Sequence, residues 1–281
     1  MYVNLGLGLG LGKQQGGGGG NPPDPSPYLD SVIDSVVFEV DATVSGSYSG
    51  LGSTWANLTP IPADGEDRSA YDFSFYGTPN FVGTAGTTGA HFTLDNGADA
   101  FQIAANTGFI KKLHKTTGGT AWWFLFAGES LDSTWPFSTL FATGTSNGSG
   151  VRVLGINTEG ISVFHYGEGT FQSSNGSTVP SPTGDVLVLA SYDNGEITIW
   201  AQSTTKEEIS LTPTPTTTDP DSLLSLGAAA NGTGDPEIST ARSAQWKLRT
   251  FAMGNEAITS DAVAADIISH IETRHGIDYT P

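Results

Sequence analysis

A chain of 281 residues with 14 Phe, 8 Tyr and 6 Trp has enough bulky apolar material for one large all-β domain or two small ones, which excludes disorder after about Tyr28. Its formal charge of −18, with only 11 Lys and Arg, repels nucleic acid and anionic membranes, and the single basic cluster (Lys111, Lys112, His114 and Lys115) is too small to reverse that field. The absence of cysteine excludes disulfides and thiolate metal sites, and no run approaches the roughly 18 apolar residues of a membrane span.

The chain opens on low complexity. Leu5, Leu7, Leu9 and Leu11 alternate with glycine, followed by five glycines at 16–20 and a proline-rich piece at 21–27. Residues 1–12 lack the basic start and continuous apolar run of a signal peptide. At strand period the four leucines share one face and leave bare backbone on the other, a shape that suits a strand added to a partner's sheet edge. Residues 1–27 therefore read as an anchoring arm and linker, and residues 28–281 as one folded domain.

Strand patterns follow at 32–38, 55–58, 71–75, 91–94 and 101–103, the last two separated by an Asn96-Gly97 turn signal. The run 121–127, Ala-Trp-Trp-Phe-Leu-Phe-Ala, is apolar at every position and predicts a central strand covered on both faces. Further strands are predicted at 138–142, 151–156, 161–166 and 185–192. An Asn194-Gly195 turn then leads into 196–202, 223–228 and 244–253. Closely spaced turn signals point to an antiparallel sandwich. One helix ends the series: Ser260 caps it, Val263, Ile267, Ile268 and Ile271 share a face, and Gly276 stops it. Its predicted place is an edge or end of the sandwich.

Three segments, in order, resemble laminin-G-like jelly rolls. Trp55-Ala-Asn-Leu58 followed by His91-Phe-Thr-Leu-Asp-Asn-Gly-Ala-Asp-Ala-Phe101 resembles the family's W-x-D-L strand and F-D-G-x-D-D-Y hairpin. Val186-Leu-Val-Leu-Ala-Ser-Tyr-Asp-Asn-Gly-Glu-Ile-Thr-Ile-Trp200 resembles a later hairpin. Leu224-Ser-Leu-Gly-Ala228, residues 246–251 and Ala257-Ile-Thr-Ser-Asp261 resemble the closing strands and terminal helix. The resemblance spans residues 32–279 and implies a concanavalin-like sandwich of two curved antiparallel sheets. A Leu-Gly-rich start ahead of such a jelly roll is similar to structural proteins of tailed phages. That likeness implies a virion location, as capsid decoration, head fibre or tail appendage, with other virion proteins and further copies of the chain as partners. Asn57 and Asn96 stand where the family often has Asp, which weighs against the calcium binding of some members.

Sandwiches of this shape include glycoside hydrolases, whose retaining members need two carboxyl groups about 5 Å apart, at alternate positions of one strand. The E-x-D-x-x-E strand of jelly-roll glucanases has no match. Glu129 and Asp132 are three apart, Glu207 and Glu208 are adjacent, and Asp64, Glu66 and Asp67 in a Pro/Gly context read as a solvated loop. No catalytic residue is assigned, and the chain reads as a non-enzyme. His91, His114, His165, His270 and His275 are dispersed, and the last two lack the i, i+4 spacing of helix-borne ligands, so no metal ligand is assigned. Loop oxygens of Asp95 and Asp99 with backbone carbonyls offer a calcium site, against the simpler reading that Asp and Asn beside glycine make tight turns. Trp135 beside Pro136, and Tyr166 before Gly167, sit in loop-like settings as candidate glycan contacts. Trp122, Trp123, Trp200 and Trp246 read as core. Two functions remain: a virion structural protein anchored through Leu5, Leu7, Leu9 and Leu11 that presents its jelly roll to host-surface glycans, or a carbohydrate-binding adhesin module for which the arm is a tether.

Overall fold

Side chains alternate across a strand, so a run that is apolar at every position needs cover on both faces. In the computed structural model the run 121–127 has that cover. Trp122–Ser130 lies between Gly184–Asp193 and Trp246–Gly254, antiparallel to both. Trp122, Phe124 and Phe126 enter a core between two sheets, while Trp123, Leu125 and Ala127 enter a second core on the opposite face. The structure describes residues 28–94, 99–115, 121–130, 138–144, 149–156, 160–167, 170–173, 184–201, 206–210, 217–230, 235–237 and 246–280.

The first sheet runs in the order Glu207–Ser210, Glu196–Ala201, Gly184–Asp193, Trp122–Ser130, Trp246–Gly254, His91–Leu94 and Asn80–Val82. Two partners share the far side of Trp246–Gly254: His91–Leu94 pairs with its first half and Val36–Asp41 with its second. The second sheet runs Thr170–Ser173, Gly160–Gly167, Gly150–Ile156, Ser138–Ala142, Ser225–Leu226, Ala100–Ile103, Phe73–Tyr76 and Thr54–Trp55. Ala229–Ala230 and Pro236–Glu237 form a small separate ribbon. The predicted antiparallel β-sandwich is thus the observed one. Aromatic rings cement the space between the sheets, with Trp55 and Phe101 each about 5 Å from Phe92 and in tilted or edge-on contact. The Asn194-Gly195 hairpin also forms as predicted, with φ positive at both residues (50° and 98°), as a tight two-residue turn of right-handed twist requires.

The C-terminal helix spans Asp261–His275. Ser260 Oγ accepts from Val263 N at 3.3 Å, and Gly276, at φ 65°, turns the chain out of it. Two expectations change here. Val263 lies at the rim of the apolar stripe and is 37% exposed, and Ala264 takes the inward place with Ile267, Ile268 and Ile271. The helix also lies over the outer face of the first sheet rather than at an edge, packed on Leu125, Ala127, Leu187, Leu189 and Trp200. The physical reason is the second apolar face of the central strands, which no part of the second sheet reaches. Close approach marks this layer. A Cβ at Gly254 would lie 2.1 Å from Trp123 Nε1 and 2.6 Å from Ser35 O, so only glycine fits beside the buried indole.

Other boundaries shift modestly. Residues 29–31 form a 3-10 turn, so the first strand begins at Val36 and not at 32. The strand expected at 223–228 contracts to Ser225–Leu226. Three short strands, Asn80–Val82, Thr170–Ser173 and Glu207–Ser210, join the sheets without a sequence signal. The arm, with Leu5, Leu7, Leu9 and Leu11, lies outside the described residues, as does the Asn96-Gly97 turn.

Candidate functional site

Two clusters of polar side chains bear on the question of a site. The first is sealed beneath the C-terminal helix. Glu39 and Asp41, at alternate positions of Val36–Asp41, are both fully buried. This is the carboxylate spacing that retaining hydrolysis requires, and no sequence motif flags it because the pair stands inside an apolar run. Its surroundings exclude a substrate. Arg274 Nη1 donates to Asp41 Oδ2 at 2.7 Å and also to Glu39 Oε1. Leu29 N donates to Glu39 Oε2 at 2.9 Å. Asp41 further accepts from Thr43 N at 2.7 Å, Thr43 Oγ1 at 2.6 Å and Thr250 Oγ1 at 2.6 Å, and His275 Nε2 lies 3.3 Å away. Burial opposes ionisation of Asp41, but Arg274 and His275 beside it outweigh burial and hold its carboxyl well below the usual carboxylate range. At Glu39 burial prevails over Arg274 and raises the carboxyl. The cluster ties the first strand to the end of the last helix and has no opening for chemistry.

The second place is open. Trp122–Ser130 begins where Trp246–Gly254 ends, and at that end of the sandwich lies a groove of about 500 Å³. Phe109, Leu113 and Trp122 give it an apolar floor, and Asp64, Glu66, Lys112 and Asn255 supply its polar lining. The floor is braced by Trp122 Nε1, which donates to Leu113 O at 2.9 Å and fixes the 3-10 turn Ile110–Lys112 against the central strand. Asp64 is fixed as well. The Tyr71 hydroxyl donates to Asp64 Oδ2 and lies 2.8 Å from Thr107 Oγ1, while the Tyr71 ring stacks on Phe38 at 5.1 Å. Burial, helped by the Asp64 carboxylate, pushes the Tyr71 hydroxyl far above its ordinary value, so it stays a protonated donor. The Glu66 carboxylate lies over Gly108, whose Cβ would come within 3.7 Å of Glu66 Oε1.

These contacts correct the solvated-loop reading of residues 64–67 in part. Asp67 fits it, being exposed and accepting from Ser69 N at 2.9 Å and Ser69 Oγ at 2.8 Å to cap a 3-10 turn. Asp64 does not, because a buried tyrosine anchors it at the groove. The basic cluster also divides. Lys111 and Lys115 pair with Asp219, and His114 is buried with Nε2 at 2.8 Å from Thr218 O, which leaves Lys112 at the groove.

Trp135 falls outside the described residues. Tyr166 belongs to the strand Gly160–Gly167 in the second sheet, opposite Phe171 and Gly150. Its loop-like setting is therefore corrected to a paired strand. Trp122, Trp123, Trp200 and Trp246 are all core, as expected. Asp95 lies outside the described residues, and Asp99 is turned inward, accepting from Thr78 N at 2.7 Å. Among the described residues no three His, Asp or Glu side chains gather as a metal site. No helix among them is long and apolar enough to cross a membrane.

No family model matches this sequence, and no curated protein matches it. Solved structures do match. One is botulinum neurotoxin type C, described as dependent on interaction with two ganglioside molecules for cell entry, at a TM-score of 0.57 and 12% identity over 86% of this chain. Another is domain 4 of an extracellular arabinanase from Geobacillus stearothermophilus in complex with arabinotriose, at 0.53 and 13%, covering 83% of this chain and 98% of that domain. A third is a Trypanosoma rangeli sialidase in complex with 2,3-difluoro-KDN, at 0.53 and 12%, covering 89% of this chain and 36% of the sialidase. The shared feature is the β-sandwich. This chain spans about half the length of the neurotoxin chain it matches, 53%. At such identities the likeness is one of fold.

Proposed function

We propose that this chain is a non-enzymatic glycan-binding module whose saccharide site is the groove of Asp64, Glu66, Lys112 and Asn255. One observation carries the reading: at the end of the sandwich a groove is lined both by apolar residues, Phe109 over the buried Leu113 and Trp122, and by side chains that donate and accept hydrogen bonds. A sugar ring presents a C–H face and a hydroxyl-bearing edge, and a site with that division of surface satisfies both. Gangliosides, named for the neurotoxin, and arabinotriose, named for the arabinanase domain, support glycan binding by a sandwich of this fold, and of the two the neutral arabinotriose is the class this groove suits. Binding is favoured over cleavage because the alternate carboxylate pair Glu39 and Asp41 is enclosed and bonded to Arg274.

The decisive variant is Gly108→Leu. Gly108 lines the groove, and the atom nearest to a Cβ there is Glu66 Oε1 at 3.7 Å, so a leucine at this position takes up groove space. Glycan binding, read by calorimetry after an array screen, is expected to fall by about tenfold or more, which corresponds to about 1.4 kcal/mol. Circular dichroism and melting temperature are expected to stay near wild type. Undiminished binding in a folded variant contradicts the placement.

Residues 1–27 support a finer reading in which the module is displayed on a virion, as capsid decoration, head fibre or tail appendage, with Leu5, Leu7, Leu9 and Leu11 as anchor. Burying each leucine is worth about 1.5–3 kcal/mol, against about 1–2 kcal/mol per residue ordered. Those terms nearly cancel, so a partner's sheet-edge hydrogen bonds and several copies must complete the attachment. Deleting residues 1–20 is expected to leave a folded, glycan-competent sandwich that no longer joins its particle, as scored by co-sedimentation. Normal incorporation of the truncated chain shifts attachment to the globular face and favours the free adhesin.

A further inference from the structure

We infer that the groove selects neutral saccharides with vicinal hydroxyls and rejects glycans capped by a carboxylate, with Asp64 as the selecting group and Tyr71 as the residue that positions it. This rests on the groove being a saccharide site. The direction of the hydrogen bonds is the starting point. Tyr71 has one hydroxyl proton, and an ionised carboxylate only accepts, so that proton goes to Asp64 Oδ2. Thr107 Oγ1, 2.8 Å from the tyrosine oxygen, must then donate to it, while Ile110 N donates to Thr107 Oγ1 at 3.4 Å. A one-way relay thus runs from the 3-10 turn under the groove to a carboxylate on its wall.

Each link before the last is buried. Tyr71 is fully buried and stacked on Phe38, and Thr107 is 9% exposed. The relay is therefore part of the core, and it fixes the carboxylate before any ligand arrives. Asp64 itself is half-buried and lines the groove; its Oδ2 accepts from Tyr71 and its Oδ1 from Glu66 N at 3.4 Å, which leaves each oxygen one further acceptor position. A fixed carboxylate with two oxygens side by side accepts from two adjacent hydroxyls at once, and preorganisation of this kind favours ligands that present such a pair.

Charge supplies the rejecting half. Asp64, Glu66 and Lys112 are the charged residues of the lining, and the chain as a whole carries a formal charge of −18. A sialic or uronic acid placed there meets two carboxylates for one ammonium and leaves Asp64 opposite an acceptor. Discrimination of this type comes from the repulsive arrangement as much as from the attractive one.

The test is a panel of matched oligosaccharides, neutral-terminated and sialic- or glucuronic-acid-terminated, titrated into the full chain at low and high salt. The neutral members are expected to bind about tenfold tighter or more at low salt, and the margin is expected to shrink as salt screens the carboxylates. The double variant Asp64→Asn, Glu66→Gln is expected to gain affinity for the acid-capped members, an effect that loss of structure does not mimic. Tyr71→Phe keeps the stacked ring and is expected to narrow the margin by freeing Asp64. An unchanged margin in Tyr71→Phe overturns the positioning role. Equal or tighter binding of acid-capped members by the wild-type chain overturns the inference but leaves the saccharide site standing. Binding of neither class removes the site and the inference with it.

Discussion

Replacing Trp123 with alanine is expected to lower the unfolding free energy by about 3–5 kcal/mol, and Trp122→Ala by a similar amount. The two residues are adjacent in sequence, yet they fill separate cores. Trp122, 1% exposed, stacks on Tyr192 at 5.4 Å and anchors Leu113 O through its indole nitrogen. Trp123, fully buried, donates to Ser35 Oγ at 3.0 Å and fills the space above Gly254 beneath the C-terminal helix. Each truncation therefore opens a cavity in a different layer and strands a polar partner as well. Urea unfolding followed by far-ultraviolet circular dichroism checks both variants. A loss below about 1 kcal/mol at both positions contradicts a two-sided central strand, since full burial of a tryptophan forbids so small a cost.

Arg274→Met is expected to cost about 3–5 kcal/mol, because it leaves two buried carboxylates without their shared cation. Its signature is the pH dependence. In the wild type the Asp41 carboxyl is depressed, so its contribution is present above the ordinary carboxylate range and is lost as pH falls below it. Glu39 is raised and works in the opposite sense: its contribution is full below the ordinary value and declines as pH climbs through the folded one. Without Arg274 the strongest influence opposing burial is lost at both groups, so both carboxyls rise from their wild-type positions and acid favours the variant relative to the wild type. The stability gap between wild type and variant should narrow as pH falls from about 7 towards about 4.5. Thermal melts across that interval measure it. A gap that widens instead contradicts the assignment of Arg274 as the neutralising partner.

How much of this was legible in the residues depends on whether a pattern is local. The central strand declares itself because every residue of 121–127 is apolar, and the hairpin at Asn194-Gly195 because its backbone needs positive φ twice. The helix is equally plain in Ser260, Ile267, Ile268, Ile271 and Gly276, yet an apolar stripe does not say which surface will cover it. Edge strands such as Glu207–Ser210 escape because an exposed edge is built from polar residues. The groove was hidden for a different reason. Asp64 and Glu66 look like turn residues until the Tyr71 hydroxyl is placed beside one of them. Asn255 becomes a neighbour of that turn through the pairing of Val36–Asp41 with Trp246–Gly254, and Lys112 through the contact of Tyr71 with Thr107. Glu39 and Asp41 were masked by the valines around them, and only Arg274 and His275, far along the chain, show why a carboxylate pair belongs in a core.

The most direct measurement is a titration of isotope-labelled protein with a neutral oligosaccharide, followed by amide chemical shifts. The glycan-groove account predicts shifts concentrated at residues 63–66, 108–113, 121–122 and 255, which line the groove or bridge its walls. Shifts confined to Gly150–Ile156 and Gly160–Gly167 around Tyr166, with the groove silent, would contradict it.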